Sequence, residues 1–459
     1  MATAAAGVIA LASTATASAA PVAPPLPPPI PQITEVIGGS GQPIPSPSYV
    51  AANNTLFVQP NLPGTTPQAV FTPEGLYPLT GIKSLPLDPS VSQGVTILND
   101  TISPQLTAGT PTGIFGYSQS TIISSLEMQQ LDPSGTPSDL PARFVLAADI
   151  MNPNGGIFER FDGLQFPSLG LSFSGATPTD DFPTVVYTSE YDGFADSPRY
   201  PINVLSDLNA VAGIVFVHPD YVDLSVNQVT PVADGGQAVL LPTQGPTETT
   251  FYMIPTENLP LLDPLRAIPV IGKPLADLIQ PDLKVLVDLG YGDPDYGWST
   301  GPANVPTPFG LFPSLSDMAK VPGLLLSGTE QGFQAFISDI SNPAALSLSS
   351  PSTLLSLFSD PFAPSEAVTG APMNLTGIVD SFTTAIAAAY ASLLPTADIA
   401  NAVLTSMPAY DVSLFLDNLG NPLDAVGLPI AADVGLLTLS AGVELLVIAE
   451  QATAIIQTF

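Results

Sequence analysis

The feature that most constrains this chain of 459 residues is a five-residue turn, Gly116-Tyr117-Ser118-Gln119-Ser120, set between a short apolar run and a helical pattern. Gly113 to Phe115 reads as a buried strand, and Thr121 to Gln130 as a helix with Ile122, Ile123 and Leu126 on one face. A serine held on a sharp strand-to-helix turn needs small residues two places before and two places after it, so that strand and helix can approach. Gly116 and Ser120 meet that need, Ser120 standing where a second glycine is usual. A turn of this kind belongs to a parallel sheet flanked by helices, so the surrounding chain should alternate strands with helices.

That alternation is present. Ile33 to Ile37 reads as a strand ending in the tight turn Gly38-Gly39-Ser40-Gly41, and Ser90 to Leu106 reads as a helix. Arg143 to Ala147 and Thr184 to Thr188 read as further strands. Pro201 to Gly213 has Ile202, Leu205, Leu208 and Ala212 at helical spacing, with Pro at its start and Gly at its end. Ile214 to Val217 then reads as a short apolar strand before His218. The predicted fold class is α/β, a parallel sheet with helices on both faces, and the chemistry is expected at strand ends. After Thr300 the composition shifts to Ser, Ala and Leu, which predicts a mainly helical extension of several short helices without recognisable chemistry. The expected organisation is a leader over 1–20, a Pro-rich linker over 21–31, the α/β domain over 32–300 and the helical region over 301–459.

The leader is uncharged, and its apolar stretch from Ala4 to Ala12 runs into Ala17-Ser18-Ala19, a small-residue pattern that fits cleavage of an export signal. Secretion or association with the cell envelope is the expected location. No other segment reads as a membrane span: Pro343 and Pro351 interrupt Ile340 to Ser359, and Asp433, Glu444 and Glu450 break the apolar C-terminal stretch. The formal net charge is −32, with only eight Lys and Arg, so no basic surface is available to neutralise phosphates and nucleic acid is not an expected partner. The chain has no Cys and one His, and Asp293 and Asp295 lack the spacing of a Ca²⁺ loop, so no metal or other cofactor is expected.

Serine is a weak nucleophile unless a base accepts its proton, and His218 is the single histidine able to do so. The third member must orient the imidazole and stabilise its cation. Asp192 and Asp196 both follow the strand Thr184 to Thr188; Asp196, just before Ser197-Pro198, is preferred, with Asp192 as the alternative acid. An oxyanion would be held by the backbone N–H of Gln119, directly after Ser118, and by the Gly39-Ser40 turn, where the Ser40 hydroxyl could donate as well. The same glycine-rich turn has an equally good reading as an ordinary strand end. The Leu- and Pro-rich region 255–290 is expected, from its apolar content, to cover the apolar part of a substrate, which is an acyl chain if the resemblance described next holds.

Several segments in this order resemble the PE-PPE domain of mycobacterial serine hydrolases, a cutinase-like branch of the α/β-hydrolases. They are Gly116 to Ser120, Asn152-Pro153-Asn154-Gly155-Gly156, Tyr191 to Pro198, His218 with Tyr221, and Leu259 to Pro264 with Asp288-Leu289-Gly290-Tyr291-Gly292. The resemblance covers about residues 33 to 300. It implies an exported esterase or lipase acting on acyl ester or lipid substrates through Ser118, Asp196 and His218, with Ser40 as an oxyanion donor. It also allows acyl transfer to a sugar or glycolipid hydroxyl. A non-catalytic envelope protein, associated with a lipid surface through its apolar tail, is the reading from another class.

Overall fold

The computed structural model describes residues 31–77, 79–81, 84–341 and 375–458, so the expected leader and nearly all of the linker lie outside the described residues. Among the described residues, seven strands form one sheet: β1 (Ile33–Val36), β2 (Thr66–Ala69), β3 (Thr112–Tyr117), β4 (Ala142–Ala147), β7 (Thr184–Ser189), β8 (Val239–Leu240) and β9 (Thr249–Ile254). β5 (Gln165–Phe166) and β6 (Leu171–Ser172) make a separate antiparallel pair. The order is β2-β1-β3-β4-β7-β9-β8, parallel throughout except for β8 against β9.

Side chains alternate across a strand, and both faces of the central strands are buried. Ile114, Phe144 and Val186 join one core with Leu98 and Ile102 of helix α1 (Leu87–Thr107) and Ile122 and Ile123 of helix α2 (Gln119–Leu131). Phe115, Val145 and Tyr187 point the other way, into a second core with Tyr49, Phe57 and Tyr221. The direction of winding reverses between β1 and β3. At such a switch point the loops after the two strands part, leaving a crevice at their C-terminal ends. The Gly38–Gly41 turn follows β1 and Ser118 follows β3, so both sequence candidates meet there.

Helix α3 (Val204–Phe216) departs from its expected form. It runs past Gly213, so the segment read as a strand before His218 is the last turn of this helix. Gly213 serves close approach instead of termination: a Cβ there would lie 1.8 Å from the Tyr191 carbonyl oxygen. The buried face also differs, because Ile202, Leu205 and Leu208 are exposed while Ser206, Asn209 and Gly213 are buried. The inner face of α3 meets the 3₁₀ turn Pro260–Leu262 and the C-terminal turn of the helix Gly272–Asp288, whose free backbone groups need partners, and polar side chains supply them. Ser206 Oγ donates to Val287 O at 2.6 Å, and Asn209 Oδ1 accepts from Leu261 N at 3.1 Å.

The C-terminal region is helical, but its helices are long. After α4 (Gly272–Asp288) come α5 (Leu315–Ser341), α6 (Leu375–Leu404), α7 (Ser406–Asp417) and α8 (Pro422–Thr458). Pro322, Pro395 and Pro429, which punctuate the sequence, lie inside α5, α6 and α8. A proline inside a helix removes one hydrogen bond at a cost of about 3 kcal/mol, which the flanking contacts offset here. Asp433 and Glu444 do not interrupt α8: Pro395–Asp417 and Pro422–Ala449 are long and apolar enough to cross a membrane by length and composition. α8 nevertheless packs on the sheet domain. Ala431, Ala432 and Leu436 are buried, and Gly435 and Gly442 lie against Pro201 and Val211.

Candidate active site

Ser118 has φ 56° and ψ −122°, a conformation that L-residues rarely adopt and that is tolerated only where the surroundings enforce it. Here the turn is pinned on both sides. The Tyr117 N–H donates to Ser120 Oγ at 2.7 Å, Ser120 Oγ donates to Tyr117 O at 3.0 Å, and the Thr121 N–H donates to Ser118 O at 2.9 Å. The departure from glycine at Ser120 therefore adds a fastening that glycine lacks. Gly116 must stay small, since a Cβ would lie 2.9 Å from Ser120 O and Ser124 Oγ.

His218 opens a 3₁₀ turn (His218–Asp223) directly after α3. Its Nε2 lies 2.7 Å from Ser118 Oγ, and its Nδ1 lies 2.9 Å from both carboxylate oxygens of Asp192. Asp192 also accepts from the N–H groups of Phe194 and Ala195 and from Tyr221 OH, at 3.1, 3.3 and 2.9 Å. Tyr221 OH in turn accepts from Ser189 N at 2.7 Å, tying the acid to the end of β7. The imidazole is further enclosed by the Tyr117 ring, stacked at 5.6 Å, and the edge-on Phe194 ring at 4.9 Å, while Tyr117 OH donates to His218 O. Ser118, Asp192 and His218 are all buried, so little water competes for these bonds.

The preferred acid of the sequence analysis, Asp196, does not reach the histidine. Its Oδ2 accepts from Tyr191 N at 3.0 Å, and its own N–H donates to Asp192 O at 2.6 Å. Four residues after Asp192, the chain has folded back on itself, and Asp196 closes the loop that Asp192 projects from. Burial pushes the Asp196 carboxyl well above the usual range. Asp192 is thus the residue brought together with Ser118 and His218.

The turn after β1 presses on the nucleophile. A Cβ at Gly39 would lie 2.9 Å from the Tyr117 ring and 3.2 Å from Ser118 Cβ, so only glycine fits. Ser40 Oγ donates its one proton to Gln119 Oε1 at 2.8 Å, and Gln119 Nε2 donates to Ser90 Oγ at 2.7 Å. The Ser40 hydroxyl is therefore a tether that fixes Gln119. The Gln119 N–H, at the first position of α2, belongs to the set of helix amides without an intrahelical acceptor, which is the position expected of an oxyanion donor.

Ser90 and Glu74 were not legible as site residues. Glu74, at φ 46°, accepts from Gly41 N through its backbone at 2.8 Å, and the next amide, Gly75 N, donates to Ser90 Oγ at 2.7 Å. Its side chain is buried with one bond, from Thr72 Oγ1, and burial pushes its carboxyl up from 4.5 to about 8. Asp207 on the inner face of α3 is likewise pushed up from 3.8 to about 8 by burial. Both fold neutral and ionise more readily in the unfolded chain. Their contribution is therefore complete below about pH 4 and is lost as pH rises towards 8, on the order of a few kcal/mol. Unfolding by urea should show a midpoint that falls from pH 5 to pH 8.5, with a shallower fall in Glu74→Gln; an unchanged slope in that variant would count against the assignment.

The region 255–290 does not cover the site. Leu259, Leu262, Ala276 and Val287 pack with Tyr191 and Tyr291 in a separate cluster, because α4 closes over the outer side of the Asp192 loop. The apolar side chain against His218 is Phe194, which joins Leu76, Leu79 and, from α8, Val443 and Val447.

Ser118, His218 and Asp192 thus meet beside the strand-order switch of a mostly parallel α/β sheet. The PE-PPE domain matches residues 63–292, and the chain belongs to that family. It is similar to the uncharacterized PPE family protein PPE28 of Mycobacterium tuberculosis, 46% identical over 90% of this chain and 64% of the relative. Esterase PE16 of the same organism is 42% identical over 62% of this chain and 52% of the relative. The SL1278 acyltransferase Chp1, also from that organism, is 29% identical over 50% of this chain and 55% of the relative. The chain thus spans between about half and just under two thirds of the length of these relatives. No solved structure matches it.

Proposed function

We propose that the chain is an exported serine esterase or lipase that hydrolyses carboxylic acyl esters. The observation that carries this reading is the continuous hydrogen-bonded line from Ser118 through His218 to Asp192. Ser118 Oγ attacks the acyl carbonyl while His218 Nε2 takes its proton, and Asp192 stabilises the resulting imidazolium through Nδ1–H. The oxyanion is held by the Gln119 N–H and the Gly39-Ser40 turn. His218 then returns the proton to the leaving alcohol, and a water activated by the same base releases the acid and frees Ser118. The similarity to esterase PE16 supports the chemistry, and the signal-like pattern in residues 1–20 supports export to the envelope or beyond.

Acyl transfer is the second reading, favoured by the similarity to Chp1 and to the diacyltrehalose acyltransferase Chp2, 32% identical over 30% of this chain. A sugar or glycolipid hydroxyl would replace water at the same acyl-enzyme. Product analysis with and without a sugar acceptor separates the two. The reaction class itself is tested with a fluorophosphonate probe. A mass shift on Ser118 that disappears in His218→Ala is expected, and a folded protein that takes up no probe would overturn the enzyme reading.

A further inference from the structure

α8 is predominantly apolar, and the packing of its inner face leaves apolar side chains exposed on the outer one. Leu423, Val426, Ile430, Leu437, Leu445 and Ile448 are all exposed, at spacings that return to one side of the helix. In α7, Phe415 and Leu416 add to the exposed apolar surface of the same helical layer. Only 33% of the most apolar stretch of α8 is buried, far less than a core helix requires. An exposed apolar stripe of this extent marks an interaction surface.

We propose that α7 and α8 form a docking surface for an uncharged or zwitterionic lipid layer, on which the protein lies. The proposal rests on the acyl-ester reading for its purpose, and three observations choose the occupant. First, the inner face of α8 is already occupied, since Val443 and Val447 share a cluster with Leu79 and with Phe194, whose ring meets His218, so only the opposite, exposed face is left for an occupant. Second, no Lys, Arg or His occurs after Lys320, whereas Asp424, Asp433 and Glu444 lie on α8 itself. Adhesion must then come from apolar burial, and anionic headgroups are repelled, the reverse of a basic amphipathic helix. Third, a formal charge of −32 on each chain opposes pairing with a second copy, which an uncharged layer does not. The protein lies on the layer and does not span it, because Ala431, Ala432, Leu436 and Val447 are committed to the sheet domain.

The test is sedimentation of the full chain, carrying Ser118→Ala so that no turnover intervenes, with phosphatidylcholine vesicles. Binding is expected, weakened by admixed phosphatidylglycerol and partly restored by salt. Ile430→Glu with Leu437→Glu should lower the partition by about a hundredfold at unchanged circular dichroism, since each change removes an apolar contact and adds a charge that resists burial. A chain that stays in solution with phosphatidylcholine overturns the proposal, as does a dimer abolished by the same two changes, which would assign the face to a second copy. Absence of a probe adduct on Ser118 would strike the hydrolase reading alone, because the partition is measured without catalysis.

Discussion

Asp192→Asn is expected to lower kcat by about four orders of magnitude with little change in KM, whereas Asp196→Asn leaves kcat within about threefold. Asparagine at 192 keeps the shape of the side chain but presents an amide N–H to Nδ1, which favours the wrong imidazole tautomer and removes the charge that stabilises its cation. Both carboxylate oxygens of Asp192 lie 2.9 Å from Nδ1, so no other acid can take over without moving the loop. At 196 the amide oxygen can still accept from Tyr191 N, and the group replaced is one that burial already holds towards the neutral form. Steady-state kinetics on a soluble ester decides the matter. The opposite ranking would remove Asp192 from its assigned place.

Gly213→Ala is expected to destabilise the fold by about 3 kcal/mol and to depress turnover at the same time. Overpacking in a dense interior costs about 1–3 kcal/mol, and the upper end applies because the obstacle is backbone. The added methyl would lie 1.8 Å from Tyr191 O, and no rotamer change relieves that contact. Tyr191 itself has φ 67°, so a push on its carbonyl is transmitted to the next residue, Asp192. Chemical denaturation and kcat measured on the same preparation should fall together. Wild-type stability in this variant would show that α3 and the loop can separate without cost.

The same glycine marks where the sequence stopped being legible. Gly at the end of an apolar helical pattern commonly terminates a helix, and nothing local distinguishes a terminator from a contact glycine whose neighbour lies in another loop. The inversion of the buried face of α3 has the same origin: spacing reports that one side is apolar, but Ser206 and Asn209 were drawn inward by carbonyl and amide groups from residues 261 and 287. By contrast β1, β3, β4 and the serine turn were legible, because their side chains meet a sheet whose period is built into the chain. The choice between Asp192 and Asp196 depended on which way a five-residue loop folds back, a property of the Asp196 N–H to Asp192 O bond that composition does not encode. The long helices α5, α6 and α8 were expected as several short ones, because a Ser-, Ala- and Leu-rich composition reports helix but not helix length, and Pro322, Pro395 and Pro429 lie inside them without ending them.

The candidate site contains no locally complete part. Ser118 and His218 stand 100 positions apart, Asp192 is 26 positions from His218, and Ser40 and Gln119 follow β1 and β3, which a crossover separates along the chain. A parallel sheet closes such distant pairings late and slowly, since each requires a long loop to be ordered first. A molecule with one strand out of register, or with α3 undocked, would retain much of its helix content and its compactness yet bring none of these groups into line. Probe titration of Ser118 would then serve as a census of finished molecules in a preparation, a figure that circular dichroism and gel filtration do not provide.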